Sequence, residues 1–155
     1  METISMAITA AETGHLVLGT LHTRNATKTV DRIIDAFPAA QQNQVRIMLS
    51  ESLRGVISQQ LIPRLDGKGR ALAYELLIGT SAVSNLIRES KTFQIPSLMQ
   101  ISTKEGMVLM DQSLAKLAVS EVISTQEALL RAESKKAILQ IINSQSEKGQ
   151  SHGSN

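Results

Sequence analysis

The sequence predicts an α/β fold, and three observations carry that prediction. Residues 16–21, Leu-Val-Leu-Gly-Thr-Leu, form a short apolar run without polar alternation, the pattern of a strand buried on both faces. Two more strand-like runs, about residues 59–65 and 70–78, flank Asp66-Gly67-Lys68-Gly69, and an Asp-Gly pair between apolar runs signals a hairpin. Around them, apolar residues recur at helical spacing. A chain of 155 residues, 42% of them hydrophobic, is long enough for one domain with a sizeable core. Its only aromatic residues are Phe37, Tyr74 and Phe93, so aliphatic side chains and methionine must fill that core.

Each element has a local reason. Ile4, Met6, Ala7, Ile8 and Ala11 predict a helix over residues 2–12 that Gly14 stops, with the strand of residues 16–21 following. Asn25 or Thr27 can cap the next helix, which carries Val30, Ile33, Ile34 and Phe37 on one face. Pro38 ends that helix or starts its successor. Val45, Met48, Leu49, Leu53, Val56 and Ile57 predict a long amphipathic helix over residues 39–60. Thr80 or Ser81 caps a short helix holding Val83, Leu86 and Ile87. A further helix follows Pro96, and another spans roughly residues 106–119. Ser124-Thr125-Gln126-Glu127 is a capping box opening a helix through Leu130. Residues 144–155 are polar and contain no apolar side chain, which predicts disorder. The expected organisation is therefore a core over residues 1–79, a helical region over 80–143 and a tail over 144–155. No internal repeat is visible.

Composition excludes several functions. The formal net charge is only +2 and no aromatic platform accompanies the basic residues, so nucleic acid is not an expected partner. Cysteine is absent, which excludes disulfides and thiolate metal sites and fits a reducing compartment. No signal-peptide pattern and no run of roughly 20 apolar residues is present, so a cytoplasmic location without a transmembrane segment is expected.

The candidate chemistry gathers at the first strand. In open α/β sheets ligands sit beyond the carboxyl ends of the strands, which puts Thr20, His22 and Thr23 at the ligand end. His15 and His22 lie about 23 Å apart along an extended strand, too far to share a metal ion, and no metal site is expected. An imidazole can donate a hydrogen bond to a phosphate oxygen. The alternative is that both histidines simply cap a buried strand through backbone groups. A phosphate-cradling G-x-x-x-x-G-K-[ST] loop is absent, and Gly67-Lys68-Gly69 reads as a hairpin turn instead. Asp31, Arg32 and Asp35 fall within about one helical turn and read as a solvated face.

The segment His15-Leu16-Val17-Leu18-Gly19-Thr20-Leu21-His22-Thr23 resembles the histidine box of the type II/IV secretion and pilus-motor ATPases. The likeness continues through Asp31-Arg32-Ile33-Ile34-Asp35-Ala36-Phe37-Pro38, Leu49-Ser50-Glu51-Ser52-Leu53 and Asn85-Leu86-Ile87-Arg88-Glu89, and is strongest toward the twitching-motility (type IV pilus retraction) branch. Lack of the four-cysteine zinc site common in the assembly and type II secretion branches leans the same way. The resemblance implies the C-terminal part of a RecA-like P-loop NTPase domain followed by a helical region. It implies ATP and Mg2+ as cofactors of an intact member, a six-subunit ring of homologous motor subunits, and pilus machinery at the inner membrane as partner. It implies phosphate sensing by His22, a lesser role for His15, nucleotide contacts at Thr20 and Thr23, and a retraction motif at Asn85, Leu86, Ile87, Arg88 and Glu89. Ser84 stands where the family usually has arginine, which removes a charge and five donors. Arg54, Arg64 and Glu51 are possible contacts between subunits. Glu2 coincides only with the end of the family's acidic segment. The expectation is thus a truncated retraction motor that lacks the phosphate grip and catalytic acid and does not hydrolyse ATP alone. The alternative is a binding or regulatory module that docks onto full-length motor subunits.

Overall fold

The computed structural model describes residues 2–150, with side-chain surroundings described through Ser144. In chain order the elements are α1 (Glu2–Glu12), α2 (Ala26–Asp35), α3 (Ala39–Ser52), β1 (Gly55–Pro63), β2 (Arg70–Ile78), α4 (Ser81–Arg88), α5 (Ile95–Ile101), α6 (Met110–Val119), α7 (Thr125–Arg131) and α8 (Lys135–Gln150), with short 3-10 turns at Thr92–Gln94 and Thr103–Glu105. The strands form a two-stranded antiparallel hairpin. The mixture belongs to the α/β class, and it divides into two compact units. The first comprises residues 1–58 and 76–107; the second comprises residues 59–75 and 108–155. The expected boundary after residue 79 falls inside the first unit.

In the first unit, α1 and α2 pack on α3, and α3 packs on α4. Val30, Ile34, Phe37, Val45, Leu49, Val83 and Ile87 are buried there. Asn25 rather than Thr27 caps α2: its Oδ1 accepts from the Lys28 amide at 2.8 Å. Pro38 is the N-cap of α3. Thr80 caps α4 through a longer 3.4 Å bond from the Val83 amide. In the second unit the hairpin's inner side chains, Ile62, Ala71 and Ala73, join Met110, Leu114, Ala115, Ile123, Ala128 and Ile138 in one apolar cluster. The turn between the strands is held by Asp66, which accepts from the Lys68 amide at 2.9 Å and from the Arg64 guanidinium at 2.9 Å.

Four expectations are corrected. The helix predicted over residues 39–60 ends at Ser52, and Val56 and Ile57 lie in β1. The cause is not local: the Gly79 amide bonds to the Arg54 carbonyl at 2.8 Å, and a Cβ on Gly79 would fall 2.1 Å from the Leu53 carbonyl oxygen. The backbone after β2 thus runs directly against residues 53–54 and stops helix growth. The helix expected over residues 106–119 starts only at Met110, because Gly106 takes a left-handed φ of 90° that closes the preceding turn. The capping box at Ser124 is half made: Ser124 Oγ accepts from the Glu127 amide at 3.1 Å, while the Glu127 carboxylate pairs with Arg131. Last, α8 continues to Gln150 through much of the predicted disordered tail, of which residues 151–155 lie outside the described residues. Burial of Ile138 on the cluster supplies the costly helix nucleus, and extension is then cheap.

Candidate functional site

The residues singled out in the sequence fall on two elements of the first unit. Four lie on the connection from α1 to α2. Gly14, at φ 93°, ends α1, and the chain then runs without regular secondary structure to Asn25. Residues 16–21 are not a strand. They take no part in the sheet, and Leu16 and Leu18 are 81% and 89% exposed. The predicted strand is corrected to an exposed segment without regular secondary structure. The physical reason is that a strand needs a neighbour to satisfy its amides and carbonyls, and the described residues contain none beside it.

His15, Thr20 and His22 are exposed, and Thr23 is half-buried. Thr13 Oγ1 bonds to the Ala10 carbonyl at 2.9 Å, so it accepts from His15 Nδ1, 3.1 Å away. His15 is therefore tied to the end of α1. Thr29 Oγ1 donates to the Asn25 carbonyl at 2.9 Å, which leaves it to accept from Thr23 Oγ1 at 2.6 Å. Thr23 thus fastens the loop to the first turn of α2. Thr29 was missed in the sequence, where it resembles any other helical threonine.

The second element is α4. Ile87 is fully buried and Leu86 half-buried, while Asn85, Arg88 and Glu89 face solvent. Arg88 lies 4.0 Å from Glu51 on α3 and 3.4 Å from Asn85 Oδ1. Glu51 therefore has a defined partner within its own unit. Glu89 bonds to Lys91 at 2.7 Å, and that ammonium holds its carboxyl below the ordinary carboxylate range. Ser84 is half-buried on the same helix. The motif is thus a shelf of outward polar groups fixed by its buried side, Val83 and Ile87. No hydrogen bond or ion pair joins His15, Thr20, His22 or Thr23 to α4.

Arg64, another of the possible subunit contacts, is paired with Asp66 in the hairpin turn. Asp31, Arg32 and Asp35 form no salt bridge with one another, and Arg32 and Asp35 are exposed. A shallow hollow lined by Ser5, Ile8, Phe37, Gln44, Val45 and Met48 contains none of the predicted site residues. The described residues do not by themselves suit a magnesium nucleotide. Among them no three His, Cys, Asp or Glu side chains converge, and no loop cradles a phosphate.

One acid escaped the sequence reading. Glu75 in β2 is only 3% exposed, and its Oε2 accepts from the Met110 amide at 3.3 Å, at the start of α6. There it meets the positive end of the helix dipole. Next to it, Ser113 Oγ accepts from the Tyr74 amide at 3.1 Å. A lone acid in an apolar strand run was the available signal.

The family model described as type II/IV secretion system protein matches residues 1–152. The chain belongs to that family. A twitching motility protein of Neisseria gonorrhoeae is 53% identical over 137 residues, 88% of this chain but 37% of the relative. The type IV pilus retraction ATPase PilT of Pseudomonas aeruginosa is 51% identical over 133 residues, 86% of this chain and 38% of the relative. A crystal structure of the pilus retraction motor PilT with bound ADP superposes with a TM-score of 0.79 at 50% identity, covering 88% of this chain and 38% of that one. The fold is accordingly that of the C-terminal part of a RecA-like motor ATPase with its helical extension. The chain spans a little over a third of the length of the relatives it matches. Among the described residues no helix is long and apolar enough to cross a membrane.

Proposed function

We propose that this chain is the C-terminal portion of a type IV pilus retraction motor. The complete motor binds magnesium ATP, assembles as a ring of six homologous subunits at the cytoplasmic side of the inner membrane, and couples hydrolysis to pilus disassembly. The observation that carries this reading is the 53% identity to a twitching motility protein across 88% of the chain, with the histidine box and the Asn85–Glu89 motif both inside residues 1–152 that the family model matches.

The parts have separate tasks. When nucleotide is bound by the complete motor, it supplies the free energy of phosphoryl transfer; this chain lends only the flank of that site. Thr23 anchors the loop through Thr29, so His22, one residue earlier, is held at a fixed height above α2. Its imidazole can then donate to a phosphate oxygen. The polar shelf Asn85, Arg88 and Glu89 stands apart and serves contacts that transmit the motor's movement. Ser84 gives this shelf one cation fewer than the family motif, which weakens any acidic contact there.

The test is a fusion. The portion of the Neisseria relative that precedes the matched region is joined in front of residue 1, and steady-state ATPase is measured with the isolated chain alongside. The fusion turns over magnesium ATP; the isolated chain stays at background, because it has no phosphate-gripping loop. Turnover by the isolated chain after stringent purification, or an inactive but folded fusion, overturns the reading.

A further inference from the structure

We infer that Thr29 is a positioning residue for His22, and that the Thr23 side chain is the link between them rather than a donor to nucleotide. This rests on the reading above of His22 as a phosphate donor, and goes further by naming the group that sets where its imidazole stands.

Thr29 is a fixed post. It lies in the first turn of α2, only 8% exposed, between the fully buried Ala26 and Val30. Its amide and its hydroxyl both bond to the Asn25 carbonyl, at 3.1 and 2.9 Å, while the Asn25 side chain caps the helix through the Lys28 amide. Threonine is β-branched and stiff at χ1, so tying down its hydroxyl fixes the whole side chain. Val30 and Ile34 root α2 in the core, so the post does not travel with the loop in front of it. Thr23 Oγ1 sits 2.6 Å from this anchored oxygen.

Hydrogen counting gives the link a direction. Thr29 has one hydroxyl hydrogen and gives it to Asn25, so Thr23 gives its own to Thr29. Thr23 Oγ1 is left as an acceptor only. A phosphate oxygen is also an acceptor, so the Thr23 side chain offers it no hydrogen bond while the link is made. His22, one residue earlier, can donate. The pinned residue is half-buried and the donating residue is exposed. Pinning Thr23 removes freedom from the adjoining peptide. A donor that is held in place beforehand needs no reorganisation when charge develops on the phosphate.

Two measurements test this. In the full 155-residue chain, nitrogen-15 relaxation reads backbone order at His22 and Thr23. Thr29→Val keeps the side-chain shape without the hydroxyl and lowers the order parameters at both residues below about 0.6, the range of flexible loops; Thr29→Ser keeps the native values. Native order in Thr29→Val overturns the inference, as does order already that low in the native chain. In the fusion described above, Thr29→Val lowers kcat roughly tenfold and leaves KM for magnesium ATP unchanged, and Thr29→Ser recovers the rate. Combined with His22→Ala, Thr29→Val has no further effect, as required of a residue that acts through His22. Additive losses overturn the inference. So does a raised KM with unchanged kcat in Thr23→Val, which would return Thr23 to the nucleotide. Native turnover by His22→Ala overturns this inference and leaves the motor reading standing. An inactive fusion overturns the motor reading, and the relaxation result then decides by itself whether Thr29 positions the loop.

Discussion

Three apolar runs in this chain read as strands in the sequence, and their outcomes differ. Residues 55–63 and 70–78 pair with each other as a hairpin, while residues 16–21 join no strand among the described residues. Hydrophobicity does not separate them. The presence of a partner among the described residues does. The turn at Asp66-Gly67 brings β1 and β2 together within a few residues, so closing the loop costs little entropy. No other strand stands near residues 16–21 among those described. A strand is thus a property of a pair, whereas the helices on either side of this segment satisfy their own backbones.

Substitutions in a paired and an unpaired run sharpen the contrast. Ile62→Ala in β1 removes a fully buried side chain from the second unit's cluster and should cost about 2–5 kcal/mol in urea denaturation. Leu18→Ala in the unpaired run should change stability by no more than about 0.5 kcal/mol. Equal costs would mean that residues 16–21 are packed in solution, and the comparison would fail.

Next in size is His22→Ala, made in the fused motor. If the ring donates to a terminal phosphate, the turnover rate should fall roughly a hundredfold, about 3 kcal/mol, with the melting temperature hardly changed. A lowered melting temperature with near-normal turnover would make His22 a strand cap, the plainer alternative.

A smaller effect is expected where side chains replace strand neighbours. Asp111 on α6 accepts from the Glu133 and Ser134 amides at 2.9 and 2.8 Å, satisfying donors just before α8. Asp111→Ala should cost about 1–2 kcal/mol and speed amide exchange at the start of α8. Unchanged exchange there would show that burial of Ile138 alone holds the helix.

The smallest effect concerns the hairpin turn. The Arg64 guanidinium, together with the Lys68 amide, holds the Asp66 carboxyl below its ordinary value. A depressed folded pKa contributes stability above the unfolded pKa, and that contribution is lost as pH falls through the folded value. Because the pair lies in solvent, Asp66→Asn should leave the hairpin intact and shift the denaturation midpoint within experimental scatter at neutral pH. A large loss would show that the turn, not the cluster beneath it, drives pairing.

The candidate site rests on what the residues themselves display. The candidate residues His22 and Arg88 stand out by type and surroundings, and the polar face of α4 follows from the spacing of Val83 and Ile87. What holds them was not legible. Thr29 and Glu51 act by reaching residues six and thirty-seven positions away, and no local pattern marks either contact. Glu75 was hidden for the same reason, since its partner is the Met110 amide on a different element.

The sequence alone determined whatever is decided within a few residues: the cap at Ser124, the caps of α2 and α4 to within two candidates each, the Asp66-Gly67 turn, the apolar faces of the helices, and the motifs that carry the family likeness. Tertiary structure decided where α3 stops, because Gly79 arrives against Leu53 and Arg54 from the far end of the hairpin. It decided that α8 runs on to Gln150, because Ile138 finds a core. Caps and turns close over short loops whose partners are always within reach, but strand pairing and close backbone approach depend on what else the chain folds against.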